Sequence, residues 1–177
     1  RGRALLKDFA ERNGFPVVCA FRFNDLMDNH SDCYVGDLGV GMSAHVKTLV
    51  RRADAILALG PRFGETTTDG YTLLRAPDPK QRLIHVHASD AELGKIYAPA
   101  LPIHAHPEAF LAAAGKALLP PSDARAAWTA HGRAGWLASQ ETPPQPGTFD
   151  MGEVMAHLQE ALPADAIITN GAGNFAI

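Results

Sequence analysis

The stretch that decides the fold is Ala53–Thr68, ADAILALGPRFGETTT. Five residues, Ala55-Ile56-Leu57-Ala58-Leu59, are apolar without a break. A run this short and this uniform is expected to be a strand buried on both faces, as parallel sheets require. Gly60 ends it and lets the backbone approach a neighbour closely. Arg62 follows with a planar fork of donors suited to phosphate or carboxylate, and Thr66, Thr67 and Thr68 add hydroxyls. Ligands of open parallel sheets bind outside the carboxyl ends of the strands, so this loop is a candidate anion or nucleotide pocket. The alternative is a surface loop in which Arg62 pairs with Glu65 or Asp69.

Working outward, helical and strand patterns alternate. Leu5, Leu6, Phe9 and Ala10 have helical spacing, and Asn13-Gly14 ends that helix. Pro16–Ala20 is a short apolar strand. Ser43 is placed to cap a helix carrying Val46, Leu49, Val50 and Ala53 on one face. Arg82–Ala88 reads as another strand. Ser89-Asp90-Ala91-Glu92 reads as a capping box opening a short helix that stops near Gly94. Leu101–His104 is a strand that Pro102 assigns to an edge. A helix over 106–118 turns Phe110, Leu111, Ala114 and Leu118 inward. The alternation predicts an α/β domain with a Rossmann-like parallel sheet flanked by helices.

Three segments follow: a domain over 1–119, a linker with one helix over 120–148, and the start of a second α/β unit over 149–177. The linker carries Pro120-Pro121, a polar helix from Asp123 to Gln140 with Trp128 and Trp136 broadly on one side, and the stiff stretch Thr142–Gly147. Asp150 and Glu153 then open a helix with Val154, Met155, Leu158, Ala161 and Leu162, and Ala166–Thr169 reads as a strand. An α/β domain normally opens on a strand, whereas this chain opens on a helix, and roughly 30 residues after 148 cannot bury a core alone. The expectation is an interior fragment of a longer chain.

Composition narrows the function. The chain has 177 residues, is 46% hydrophobic and 20% charged, and carries a net charge of −3. No basic excess steers it toward nucleic acid or an anionic membrane. No apolar run reaches the roughly 18 residues of a membrane span. Cys19 and Cys33 lack metal spacing and read as two reduced thiols, which points to a cytoplasmic protein.

Two further loops can carry chemistry. Val35–His45 holds Gly36, Gly39 and Gly41 before the Ser43 helix, but the third glycine of a dinucleotide fingerprint is absent and no strong strand leads in, so a flexible loop is expected. Asn170-Gly171-Ala172-Gly173-Asn174 follows the last strand and is either an anion-binding turn or a bare turn. His85-x-His87 and His104-x-His106 form two i, i+2 pairs that would share strand faces. They could hold zinc, but no carboxylate or cysteine completes the set, and packing or hydrogen-bonding roles are expected instead. No nucleophile motif is present.

The order FPVVCA, GDLGVGMSAHV, ADAILALGPRFGETTT, RLIHVHASDAELGKIY and ALPADAIITNGAGNFAI resembles the thiamine diphosphate-dependent enzymes of the acetolactate synthase type. The resemblance runs from Arg3 to Ile177. It implies a middle Rossmann-like domain lacking its first strand, then a linker and the beginning of the domain that holds the cofactor diphosphate. On that resemblance Gly171, Ala172, Gly173 and Asn174 lie near the diphosphate, with Gly173 and Asn174 in contact. Gly60 and Arg62 match the loop that meets FAD or ADP in relatives that bind one. His87 stands where FAD-binding relatives have an acid. The resemblance also implies a magnesium-dependent carboligase or decarboxylase of 2-oxo acids that forms a homodimer or homotetramer. It assigns no catalytic residue to this chain. The alternative is a non-catalytic nucleotide-binding domain of the same fold.

Overall fold

A computed structural model of the protein describes residues 1–141 and 143–169. The chain forms two compact units, Arg1–Ala138 and Ser139–Ile177.

The first unit is α/β, as expected. Helix α1 (Gly2–Asn13) ends on Gly14 in the left-handed conformation, at φ 65. Strand β1 (Val17–Ala20) pairs in parallel with β2 (Tyr34–Leu38). Helix α2 (Ala44–Arg52) leads to β3 (Ala55–Leu59), which pairs in parallel with β4 (Arg82–His87). Strand β5 (Leu101–His104) adds to β4, also in parallel. Helix α3 (Pro107–Ala114) follows. The strands form two sheets, β1-β2 and β3-β4-β5.

Each sheet has its own core. Ala10, Cys19, Met27, Cys33 and Tyr34 cluster over the first, with Leu6, Val17 and Trp136 packed against them. Ala58, Phe63, Leu74, Leu83 and Tyr97 cluster over the second. Both cysteines are free and buried. Burial pushes the Cys19 thiol up to about 11, so it is an inert core group.

Helix α4 (Asp123–Ser139), read from the sequence as part of a linker, lies against β2 and α2. A Cβ at Gly132 would stand 2.9 Å from Val35 Cγ1 and 3.1 Å from Leu49 Cδ2, so only glycine allows this approach. Trp136 meets Tyr34 edge-on at 5.1 Å. The Arg133 guanidinium donates to the carbonyls of Asn29 at 2.9 Å and Tyr34 at 3.1 Å. Arg125 Nε donates to Asn13 O at 2.6 Å.

Several expectations are corrected. Strand β2 was not foreseen, because Gly36 (φ 126) and Asp37 are poor strand formers. Tertiary pairing with β1 overrides that preference. The β3 run is not buried on both faces: Ala58 is buried, Ala55 is exposed and the rest are half-buried. After Ser89 there is only a 3-10 turn, Asp90–Glu92, with no side-chain cap, because Glu92 pairs with Lys95 instead. Helix α3 stops at Gly115, leaving Leu118 68% exposed rather than inward.

In the second unit, α5 (Met151–Ala161) is capped by Asp150, whose carboxylate accepts from the Gly152 amide at 2.8 Å. None of its residues is buried. Residues 166–169 pair in no ladder, against the strand expectation, and Ile167 is 89% exposed. A strand needs a neighbour to bond, and none is present among the described residues.

Candidate functional site

The carboxyl ends of β3, β4 and β5 place three loops side by side, since the strands are parallel and in register. The first is Gly60–Phe63. Gly60 has φ 80, and its amide donates to Val86 O at 2.8 Å. A Cβ there would sit 3.0 Å from Pro107 Cγ at the start of α3, so glycine is needed for both conformation and space. Phe63 also has positive φ, at 54, an outlier for a bulky residue. Between these two bends Arg62 points outward and is exposed.

His85 braces this loop from below. It is 1% exposed, and its Nε2 lies 2.9 Å from Pro61 O. The carbonyl can only accept, so Nε2 carries the proton and Nδ1 holds a lone pair. That Nδ1 is buried without a partner. Burial, and secondarily the nearby His87, hold the His85 pKa below its ordinary value, so the ring stays neutral. Phe63 wedges edge-on against His85 at 4.9 Å and Tyr97 at 5.3 Å. The Arg62 arm is thereby carried on a rigid base.

Arg62 keeps its donors available. Asp69, one partner offered by the surface-loop alternative, is taken by Lys47 at 2.8 Å and Arg51 at 3.9 Å. Among the described residues Arg62 forms no ion pair within 4.0 Å. Its charge reaches Glu92, whose carboxyl is held below the usual range first by Lys95 and to a smaller extent by Arg62. Of the three threonines, Thr68 is not available as a ligand donor: it is buried and its hydroxyl donates to Gly64 O at 2.9 Å.

The four histidines of the two pairs are spent on the backbone. His87 Nδ1 accepts from the Ser89 amide at 3.0 Å, and His104 Nε2 donates to Ala88 O at 3.0 Å. His106 caps α3, accepting from the Glu108 amide at 3.3 Å. Among the described residues no group of three or more His, Cys, Asp or Glu could hold a metal ion. The Ile-His-Val-His pattern was legible as a paired motif, but the bracing role of His85 was not. Its one signal was a histidine inside an otherwise apolar strand.

The Val35–His45 stretch begins in strand β2 and is closely packed at Gly36 and Gly39, while Val40 is exposed. A Cβ at Gly36 would meet Val46 Cγ2 at 2.6 Å, and one at Gly39 would meet Phe21 Cδ2 at 2.9 Å. The Ser43 hydroxyl bonds His45 Nδ1 at 2.9 Å instead of capping α2. Burial pushes the Asp37 carboxyl up. Gly171, Ala172, Gly173 and Asn174 lie outside the described residues.

The chain is similar to several known proteins. It is 32% identical over 101 residues to the mitochondrial acetolactate synthase of Schizosaccharomyces pombe, covering 54% of this chain and 15% of that one. It is 27% identical over 178 residues to the acetolactate synthase large subunit of Parasynechococcus marenigrum, covering 95% of this chain and 27% of the relative. It is 24% identical to the sulfoacetaldehyde acetyltransferase of Alcaligenes xylosoxydans xylosoxydans, again over 95% of this chain and 32% of the relative. The chain thus spans at most about a third of these relatives. The family described as thiamine pyrophosphate enzyme, central domain, matches residues 1–114, which span both sheets and the Gly60–Phe63 loop. By that match the chain belongs to the central-domain family of the thiamine pyrophosphate enzymes.

Proposed function

We propose that this chain is part of a thiamine diphosphate- and magnesium-dependent enzyme that joins or decarboxylates 2-oxo acids, as the similarity to acetolactate synthases suggests. The carrying observation is the family match over residues 1–114. The parent is read as a cytoplasmic homodimer or homotetramer. No helix among the described residues is long and apolar enough to cross a membrane. When bound, thiamine diphosphate supplies the electron sink for the bond made or broken next to the substrate carbonyl. This chain's own part is positional. Gly171, Ala172, Gly173 and Asn174 are proposed to present backbone amides to the diphosphate.

Gly60 and Arg62 are proposed to bind the phosphates of a nucleotide, FAD or ADP, at the carboxyl edge. The residue present that fits phosphate is Arg62, an exposed guanidinium with no ion pair among the described residues, while the Gly60 amide is bonded to Val86 O and its α-carbon packs against Pro107. The site fits a ribose diol less well, since His87 is already bonded to Ser89. A phosphate-first contact is the better description.

The test is calorimetric titration of the full-length polypeptide with thiamine diphosphate, with and without magnesium, followed by assay of 2-oxo acid consumption. Saturable binding and turnover are expected. Binding of ADP or FAD without binding of thiamine diphosphate would overturn the enzyme reading and support the nucleotide-binding module.

A further inference from the structure

Arg62 sits between two backbone bends, and the second is held by packing. Phe63, at φ 54, is buried and meets His85 and Tyr97 ring to ring. A bulky residue keeps that conformation only where its surroundings over-determine it. On the other side of Arg62, Pro61 O accepts from His85 Nε2 at 2.9 Å. His85 thus holds both neighbours of Arg62: it bonds the carbonyl before it and packs on the ring after it. The far end of the loop has anchors of its own. Lys47 holds Asp69 at 2.8 Å, and the Thr68 amide donates to Gly64 O at 3.1 Å.

The second nitrogen of His85 makes this hold sensitive to a proton. Nδ1 is buried, has no partner among the described residues, and carries the lone pair while Nε2 donates. The register partners of His85 are Ala58 on β3 and Pro102 on β5, neither of which titrates. A proton taken from water onto Nδ1 makes a buried cation whose new N–H has nothing to donate to. Turning the ring toward solvent relieves that, but it takes Nε2 off Pro61 O and withdraws the surface on which Phe63 rests. Both neighbours of Arg62 then lose their support together. The groups whose charge acts on the ring are His87, 5.9 Å away ring to ring, and Glu92. Burial, the largest influence, opposes the proton, His87 adds to that, and Glu92 favours it. Tyr97, across Phe63, stays neutral because burial pushes its phenol up.

We propose that His85 is a proton-sensing positioning residue for the anion site: with a neutral ring the Gly60–Phe63 loop holds Arg62 out for phosphate, and with Nδ1 protonated the loop lets go. It rests on the reading of Arg62 as a ligand of nucleotide phosphate. Proton and nucleotide are then linked reciprocally: acid weakens the nucleotide, and bound nucleotide makes His85 harder to protonate. The sign is diagnostic. An imidazolium acting on the phosphates by its charge alone would attract them, so acid would tighten binding.

The test is calorimetric titration of the full-length polypeptide with FAD at about pH 7.5 and about pH 5, since the FAD diphosphate carries the same charge at both. Affinity is expected to fall more than about threefold in acid for the native protein and to hold or rise for His85→Gln, whose amide still donates to Pro61 O without titrating. Equal pH dependence in the two proteins, or tighter binding in acid by the native one, overturns the proposal. Nitrogen NMR of the histidine rings reads the same event without the variant. His85 is expected in the Nε2–H form near neutral pH, with its titration moved to lower pH by FAD; a move to higher pH overturns the proposal. Absence of FAD binding at either pH defeats the nucleotide reading alone, and amide exchange on the native protein then decides the switch. Residues 60–68 are expected to lose protection in acid while β4 keeps it. Loss in both together, or in neither, overturns the switch.

Discussion

Acidification is expected to weaken this domain through His85. The neutral ring donates from Nε2 to Pro61 O, while Nδ1 sits buried and unpartnered against Phe63. Protonation at Nδ1 would bury a cation with no acceptor, which is why burial lowers its pKa below 6.5. The unfolded chain then binds the proton more readily than the folded one, so stability rises with pH across this window. The contribution is complete above the unfolded value of about 6.5 and is lost as pH falls toward the lowered folded value. The slope reaches at most about 1.4 kcal/mol per pH unit. His87 and Glu92 face the ring and act in opposite senses, His87 reinforcing the shift and Glu92 opposing it. Asp37, whose carboxyl is pushed up by burial, works against acid destabilisation. A comparison with His85→Gln cancels such background terms, since glutamine keeps a donor for Pro61 O and does not titrate. Urea unfolding midpoints from pH 8 to pH 5 should fall more steeply for the native protein, by at most about 1 kcal/mol between pH 6.5 and 5.5. Parallel curves for the two proteins would refute the reasoning.

Arg62→Ala should leave urea stability unchanged and weaken ADP or FAD binding about tenfold, or roughly 1.4 kcal/mol, read by calorimetry on the full-length polypeptide; equal affinity would make Arg62 a plain surface residue. Gly173→Val should raise the thiamine diphosphate needed for half-maximal activity on the order of tenfold, because a branched side chain blocks close approach of backbone to phosphate. Its melting temperature without cofactor should not move, and unchanged affinity would remove the turn from the site. Arg133→Ala should cost about 2–3 kcal/mol in urea unfolding, since it strips the Asn29 and Tyr34 carbonyls of a charged donor; a loss under about 0.5 kcal/mol would show those bonds to be replaced by water.

Much of the fold was legible because its signals are local. The apolar runs of β1, β3 and β4, the Gly14 stop of α1 and the Asp150 cap of α5 depend on residues within a few positions of one another. Gly60 and Arg62 could be singled out for the same reason, as a glycine and a cation directly after a strand. The sequence alone therefore determined an α/β order, the candidate loop and a family resemblance that residues 1–114 bear out. Only tertiary structure decided what depends on distant partners. Gly36 and Asp37 lie in a strand because β1 is there to pair with them. Gly132 is spent on bringing α4 against Val35 and Leu49. His85 and Phe63, 22 residues apart, meet under Pro61 to fix the Arg62 arm. Ala166–Thr169 has strand-like residues and no ladder, because among the described residues no neighbouring strand offers its edge. Propensity is a property of a few adjacent residues, whereas pairing, close approach and burial are properties of two segments brought together, and the second kind overrules the first wherever they disagree.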